Sequence, residues 1–128
     1  MNLFESGLFT LSSGKKSAWK IECDALTDVD IKTIALIFSE MLPPFCFTEP
    51  VMPGGERLAM ALERYTSPNG VALIVDDVLT TGRSMESQRA GRPLSLVRGA
   101  VIFSRADKCA EWITPLFTMK HLKQEIAQ

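Results

Sequence analysis

The stretch Gly70-Val71-Ala72-Leu73-Ile74-Val75-Asp76-Asp77-Val78-Leu79-Thr80-Thr81-Gly82-Arg83-Ser84 decides how this chain folds. Five apolar residues, Val71 to Val75, follow the turn signal Pro68-Asn69-Gly70. A run that short and that rich in branched side chains reads as a strand buried on both faces of a parallel sheet. Asp76 and Asp77 come at or just beyond its carboxyl end, the edge where open α/β sheets bind ligands. Thr80 to Ser84 then combine hydroxyls, a glycine and a cation ahead of a helix expected over Met85–Arg89. Backbone N–H groups at a tight turn favour an anion, and the hydroxyls add donors. Taken alone, an Asp pair after a strand reads better as a solvated acidic turn. Acids beside an anion cradle suit a ligand that carries both vicinal hydroxyls and a phosphate, as ribose 5-phosphate does.

The whole string resembles the phosphoribosyl-pyrophosphate (PRPP) signature of type I phosphoribosyltransferases: a hydrophobic strand, two acids, two aliphatics, then Thr-Thr-Gly-x-Ser. The resemblance implies that Asp76 and Asp77 form the catalytic pair and hold the ribose hydroxyls. It also implies that Thr80, Thr81, Gly82, Arg83 and Ser84 wrap the 5-phosphate. Arg83 stands where the family usually has a small residue.

A second informative stretch is Val51-Met52-Pro53-Gly54-Gly55-Glu56-Arg57-Leu58-Ala59. A Pro-Gly-Gly turn feeds a helix whose expected apolar face is Leu58, Ala61, Leu62 and Tyr65. Glycines let a backbone approach a ligand closely, although a bare Gly-Gly before a helix is a weak signal. Beside the acid pair it resembles the family's pyrophosphate loop, which assigns Pro53, Gly54 and Gly55 to pyrophosphate. Met52-Pro53 takes the place of a more polar pairing, and Arg57 is the nearest cation in sequence.

Alternation over Leu8–Leu11 and again around Trp19–Glu22 suggests two short strands joined at Ser13-Gly14. Gly7, Phe9, Leu11, Ser13, Gly14, Ser17 and Trp19 match the amino-terminal hood of orotate phosphoribosyltransferases, which covers the base. That family commonly carries a lysine where this chain has Ser12, and a hydroxyl does not replace a charge facing anions. Thr27 is the expected N-cap of a helix with an apolar stripe at Ile31, Ile34, Ala35, Phe38, Met41 and Leu42, stopped by Pro43-Pro44. Phe45-Cys46-Phe47 reads as a buried strand, Val97–Phe103 as a strand and Trp112–Phe117 as a last strand covering the sheet, with a polar helical tail over Met119–Gln128. Arg105 follows the Val97–Phe103 strand and matches the family's base-contacting arginine, with Ser104 in place of the usual acid. A solvated loop arginine is the alternative. Between Tyr65 and Val71 only Thr66–Gly70 intervene, where orotate phosphoribosyltransferases insert a strand and a long mobile loop carrying catalytic basic residues.

The fold expected is therefore α/β, a single domain over residues 1–128 with a parallel sheet flanked by helices and a small amino-terminal hood. At 128 residues the chain can bury about two-thirds of its unfolded surface. A formal charge of −1 gives no electrostatic case for nucleic acid or an anionic membrane. No apolar run approaches the ~18 residues of a spanning helix, and no leader pattern opens the chain, so a cytoplasmic setting is expected. Cys23, Cys46 and Cys109 lack metal-ligand spacing and read as free thiols, and His121 carries no catalytic pattern. The resemblance implies transfer of the ribose 5-phosphate of PRPP to a nitrogenous, pyrimidine-like base, with Mg²⁺ as cofactor and pyrophosphate as product. It implies a homodimer, since the family's loop closes over a neighbouring subunit's site. The missing loop keeps a second reading open, a non-catalytic module that binds PRPP or a nucleotide.

Overall fold

The computed structural model describes residues 1–11 and 13–119. Strands β1 (Phe4–Thr10) and β2 (Lys16–Ile21) form an antiparallel hairpin. Its turn is closed by Gly14 N–H donating to the Leu11 carbonyl at 2.8 Å, with Gly14 in the left-handed region at φ 86°. Helix α1 (Asp28–Met41) opens on a capping box. The Thr27 hydroxyl accepts from Asp30 N–H, and the Asp30 carboxylate accepts from Thr27 N–H. Then follow β3 (Phe45–Pro50), α2 (Glu56–Leu62), β4 (Val71–Leu79), α3 (Arg83–Arg89), β5 (Val97–Ser104) and β6 (Ile113–Thr118).

Strands β3-β4-β5-β6 pair in that order and all run parallel, so the expected α/β fold is the one observed. The apolar run of β4 is explained by burial on both sides. Leu73 and Val75 join the core beneath α1 and α2, whereas Ala72 and Ile74 join the one beneath α3. The hairpin docks on the sheet through Phe4, whose ring meets Phe103 edge-on at 5.9 Å.

Three local expectations are corrected. The β4 strand runs on through both acids to Leu79, because Asp76 stays in register with Val101 and Leu79 with Ser104 of β5. Met41 is exposed, since it lies roughly 80° around α1 from the Ile31 direction. Phe47 is exposed as well, because β3 is an edge strand; only Phe45 of that triplet is buried. The tail helix expected over Met119–Gln128 falls, from residue 120 onward, outside the described residues, as do Ser12 and His121. Among the described residues no helix is long and apolar enough to cross a membrane.

Candidate functional site

The carboxyl end of β4 is the centre of the site. Side chains alternate along a strand, so Asp76 and Asp77 leave it on opposite faces. Asp76 faces the turn that follows the strand, and Asp77 faces the Pro-Gly-Gly turn and Cys23. Each carboxylate is held by the next backbone N–H, Asp76 Oδ1 by Asp77 at 2.8 Å and Asp77 Oδ1 by Val78 at 2.7 Å. Burial pushes the Asp76 carboxyl up to about 7; the Asp77 N–H opposes that rise, and the Asp77 carboxyl adds to it. The Cys23 thiol is driven up to about 12, first by burial and then by the charge of Asp77.

On the Asp76 side, Thr80 to Ser84 surround a cavity of about 130 Å³. Gly82 sits in the left-handed region at φ 83° and lets the chain reverse into α3. Arg83 N–H donates to the Thr81 hydroxyl at 3.3 Å. Helix α3 is pinned across the sheet from both sides. Gln88 Nε2 donates to the Pro50 carbonyl at 3.1 Å, and Trp112 Nε1 donates to Glu86 Oε1 at 2.6 Å. The Thr80–Ser84 turn therefore stands on a fixed base.

On the Asp77 side lies the Pro53-Gly54-Gly55 turn, entered through a cis Met52–Pro53 peptide. Val51 N–H donates to the Val75 carbonyl and Gly55 N–H to the Val51 carbonyl, both at 2.8 Å. Both glycines lie in close approach, Gly54 to a side chain and Gly55 to backbone. A Cβ on Gly54 would stand 2.5 Å from Asp77 Oδ1, and one on Gly55 would overlap the Val75 carbonyl.

Between these turns and the hairpin lies a cleft of about 510 Å³, whose walls include Lys20, Pro53, Gly54, Asp76, Asp77 and Arg105. Arg105 is no solvated loop residue. Its Nη2 donates to Ser17 Oγ at 2.8 Å and its Nη1 to the Trp19 carbonyl at 3.2 Å. The guanidinium also stacks 3.6 Å from the Trp19 ring centroid, and burial lowers its pKa. Arg105 thus clasps the hairpin to the sheet and separates the cleft from a second cavity of about 250 Å³ lined by Lys15, Lys16, Trp19 and Thr81.

The other site residues expected from the sequence line these cavities at one end of the sheet, whereas Gly55 is buried behind Gly54 with its N–H bonded to the Val51 carbonyl. Arg57 is not among those facing the cleft, for its guanidinium is engaged by the Leu26 carbonyl at 2.8 Å and by Asp28 at 3.2 Å. Cys23 is buried and Cys46 and Cys109 are half-buried, all as free thiols. The Thr66–Gly70 connection lies at the opposite edge, where Ser67 N–H donates to the Phe45 carbonyl at 2.8 Å. Lys20 was not singled out by the sequence reading, and the alternating hairpin was its one signal.

No family model matches the chain, and no curated protein does. Solved structures do. Orotate phosphoribosyltransferase of Aeropyrum pernix superposes with a TM-score of 0.69 at 20% identity, over 98% of this chain and 94% of that one. That of Francisella tularensis gives 0.61 at 14%, over 98% and 85%. Leishmania donovani UMP synthase gives 0.66 at 16%, over 98% of this chain but 36% of that one. A four-stranded parallel sheet flanked by helices, with a small antiparallel hairpin over it, is the type I phosphoribosyltransferase fold. Within that class, the hood and sheet follow the orotate phosphoribosyltransferase arrangement.

Proposed function

We propose that the chain is a phosphoribosyltransferase that moves the ribose 5-phosphate of PRPP onto a nitrogenous, pyrimidine-like base. The observation that carries this reading is convergence. Asp76 and Asp77, the Pro53-Gly54 turn and the Thr80–Ser84 turn border two adjoining cavities that share Asp76, Val78, Thr80 and Ser84. The 5-phosphate occupies the Thr80–Ser84 turn, the ribose hydroxyls meet the two carboxylates, and the pyrophosphate lies along Pro53–Gly55. Arg105 and the hood face the base. The base nitrogen donates its lone pair to the anomeric carbon while the carbon–oxygen bond to pyrophosphate breaks, its electron pair leaving on oxygen; the proton of that nitrogen passes to solvent. Asp76 and Asp77 fix the sugar and stabilise the positive charge that develops on it.

No group of three His, Cys, Asp or Glu side chains gathers among the described residues to cage a metal. Two cleft carboxylates beside a phosphate-bearing substrate nevertheless suit Mg²⁺, a hard cation that keeps waters and takes substrate oxygens. The ion would be held by pyrophosphate and ribose oxygens, with Asp76 and Asp77 at the ribose end. When bound, it neutralises charge on the leaving group.

One observation favours a second reading. The Thr66–Gly70 turn is anchored at the amino edge of the sheet, so no loop from that connection covers the cleft, as suits a module that binds PRPP or a nucleotide without transfer. A homodimer in which a second copy completes the cleft reconciles the two. Pyrophosphate release from PRPP, measured over a panel of bases with and without Mg²⁺, is the test. Base-dependent release supports transfer, PRPP binding without release supports the module, and absence of PRPP binding refutes both.

A further inference from the structure

Transfer leaves negative charge on pyrophosphate, and the cleft that would receive it is lined on one side by Asp76 and Asp77. Two carboxylates repel that product, so a protein cation across from them would add to the charge neutralisation that Mg²⁺ supplies. Among the described residues two cations line this cleft, Arg105 and Lys20. Arg105 already directs both terminal nitrogens into the hood, to Ser17 and Trp19. Lys20 is held less firmly. Its ammonium lies 3.6 Å from Glu5 Oε2 and 3.6 Å from Glu22 Oε2, longer than a hydrogen bond, and all three side chains are about one-third exposed. Beneath it the Phe9 ring lies 5.0 Å away, a contact that orients a cation without consuming its donors. Lys20 shares the cleft with Pro53 and Gly54 of the pyrophosphate turn.

We propose that Lys20 is a catalytic residue of this chain, the cation that meets the pyrophosphate end of the substrate and stabilises the charge it acquires on leaving. A lysine suits this place because its ammonium is a compact charge on a flexible stem and carries three donors. The dianionic setting of Glu5 and Glu22 keeps the side chain at the cleft wall until a more highly charged anion arrives. Lys20 then exchanges two long, solvent-exposed pairs for short charge-assisted bonds to phosphate oxygens. The role is specific to the pyrophosphate end, since the 5-phosphate lies on the far side of Asp76 among Thr80–Ser84. Lys20 can have it only if the chain binds PRPP as proposed above.

The test is calorimetry of purified wild type, Lys20→Met and Lys20→Arg with inorganic pyrophosphate, PRPP and ribose 5-phosphate, Mg²⁺ present throughout. Lys20→Met keeps the stem and removes the charge. It should weaken pyrophosphate and PRPP about tenfold, equivalent to 1.4 kcal/mol, and leave ribose 5-phosphate unchanged. Lys20→Arg should keep the wild-type affinities. Where a base supports release, Lys20→Met should lower kcat as well, and Lys20→Arg should restore it. Unchanged pyrophosphate affinity in Lys20→Met, or equal weakening of pyrophosphate and ribose 5-phosphate, would overturn the assignment while leaving the site reading intact. Failure of the wild type to bind PRPP or ribose 5-phosphate would overturn both.

Discussion

Gly54→Ala tests the geometry of the site with one methyl group. The added Cβ would lie 2.5 Å from Asp77 Oδ1 and 2.7 Å from Oδ2, whereas ordinary contact begins at 3.4 Å. The obstacle is the end of a side chain, so the carboxylate rather than the backbone gives way, by about 0.9 Å, the gap between 2.5 and 3.4 Å. A retreat of that size disturbs the hydrogen bond that Oδ1 accepts from the Val78 N–H at 2.7 Å. It also misplaces the acceptor for a ribose hydroxyl. Losing one charge-assisted contact costs ~1.5–3 kcal/mol, or about 10- to 100-fold in affinity for PRPP and for ribose 5-phosphate alike. The fold should survive, with a melting temperature lower by about 3–6 °C per kcal/mol of lost local bonding. Gly55→Ala should behave differently, because its Cβ meets the Val75 carbonyl, a backbone atom that cannot turn aside. Calorimetry on a folded Gly54→Ala protein is the assay. Wild-type affinity for both ligands would show that the turn and Asp77 do not form one ligand surface.

Three further outcomes follow from the same geometry. Arg105→Ala removes the hydrogen bonds to Ser17 and Trp19 and the stack on Trp19, so a nucleoside 5-monophosphate should bind about tenfold or more weakly while ribose 5-phosphate is spared; equal loss of both would assign Arg105 to folding instead. Asp76 carries a folded pKa of about 7 against an ordinary 3.8, so between those values the folded chain keeps a proton that the unfolded chain has released. Ligand-free stability should therefore fall as pH rises from about 4 to about 7 and then level off, and thermal melts of Asp76→Asn should lose that part of the slope. Turnover of the purified chain at low concentration should lie well below a typical ~10 s⁻¹; a value near that figure, independent of protein concentration, would show that the hood alone suffices.

Much of the architecture was legible because it depends on local chemistry. The Val71–Val75 run needed only both-face burial to become a central strand, and Thr27 with Asp30 is a local cap. The positions of Asp76, Asp77 and Thr80–Ser84 followed from their place at a carboxyl edge. What escaped the sequence was set by distant partners. Nothing near Arg105 announces that its guanidinium meets residues in the hairpin, nor that Arg57 turns back to Leu26 and Asp28. Phe47 looked buried because composition does not say which strand forms the edge. Lys20 escaped for the same reason, since a lysine in an alternating hairpin normally faces water and only the docked hairpin brings it to the wall of the cleft that also holds Asp76 and Asp77.

Distances along the chain decide where positive charge for the leaving group can come from. From Val71 to Asp76 the strand rises about 17 Å at ~3.3 Å per residue, so a loop leaving the amino edge must climb that far and return, about 33 Å. The five residues Thr66–Gly70 span at most ~17 Å when fully extended. They are not extended, because Gly70 N–H donates to the Ser67 carbonyl and Ser67 N–H to the Phe45 carbonyl, which ties the turn to the start of β3. This connection therefore cannot cover the cleft in any conformation. Beside Mg²⁺, the side-chain sources in the cleft lining among the described residues are Arg105, already engaged by the hood, and Lys20. A second copy is the other route, through a segment that reaches across. The two routes separate by mass action. Charge supplied by Lys20 gives pyrophosphate binding independent of protein concentration, whereas charge supplied by a partner gives binding that strengthens as the chains associate.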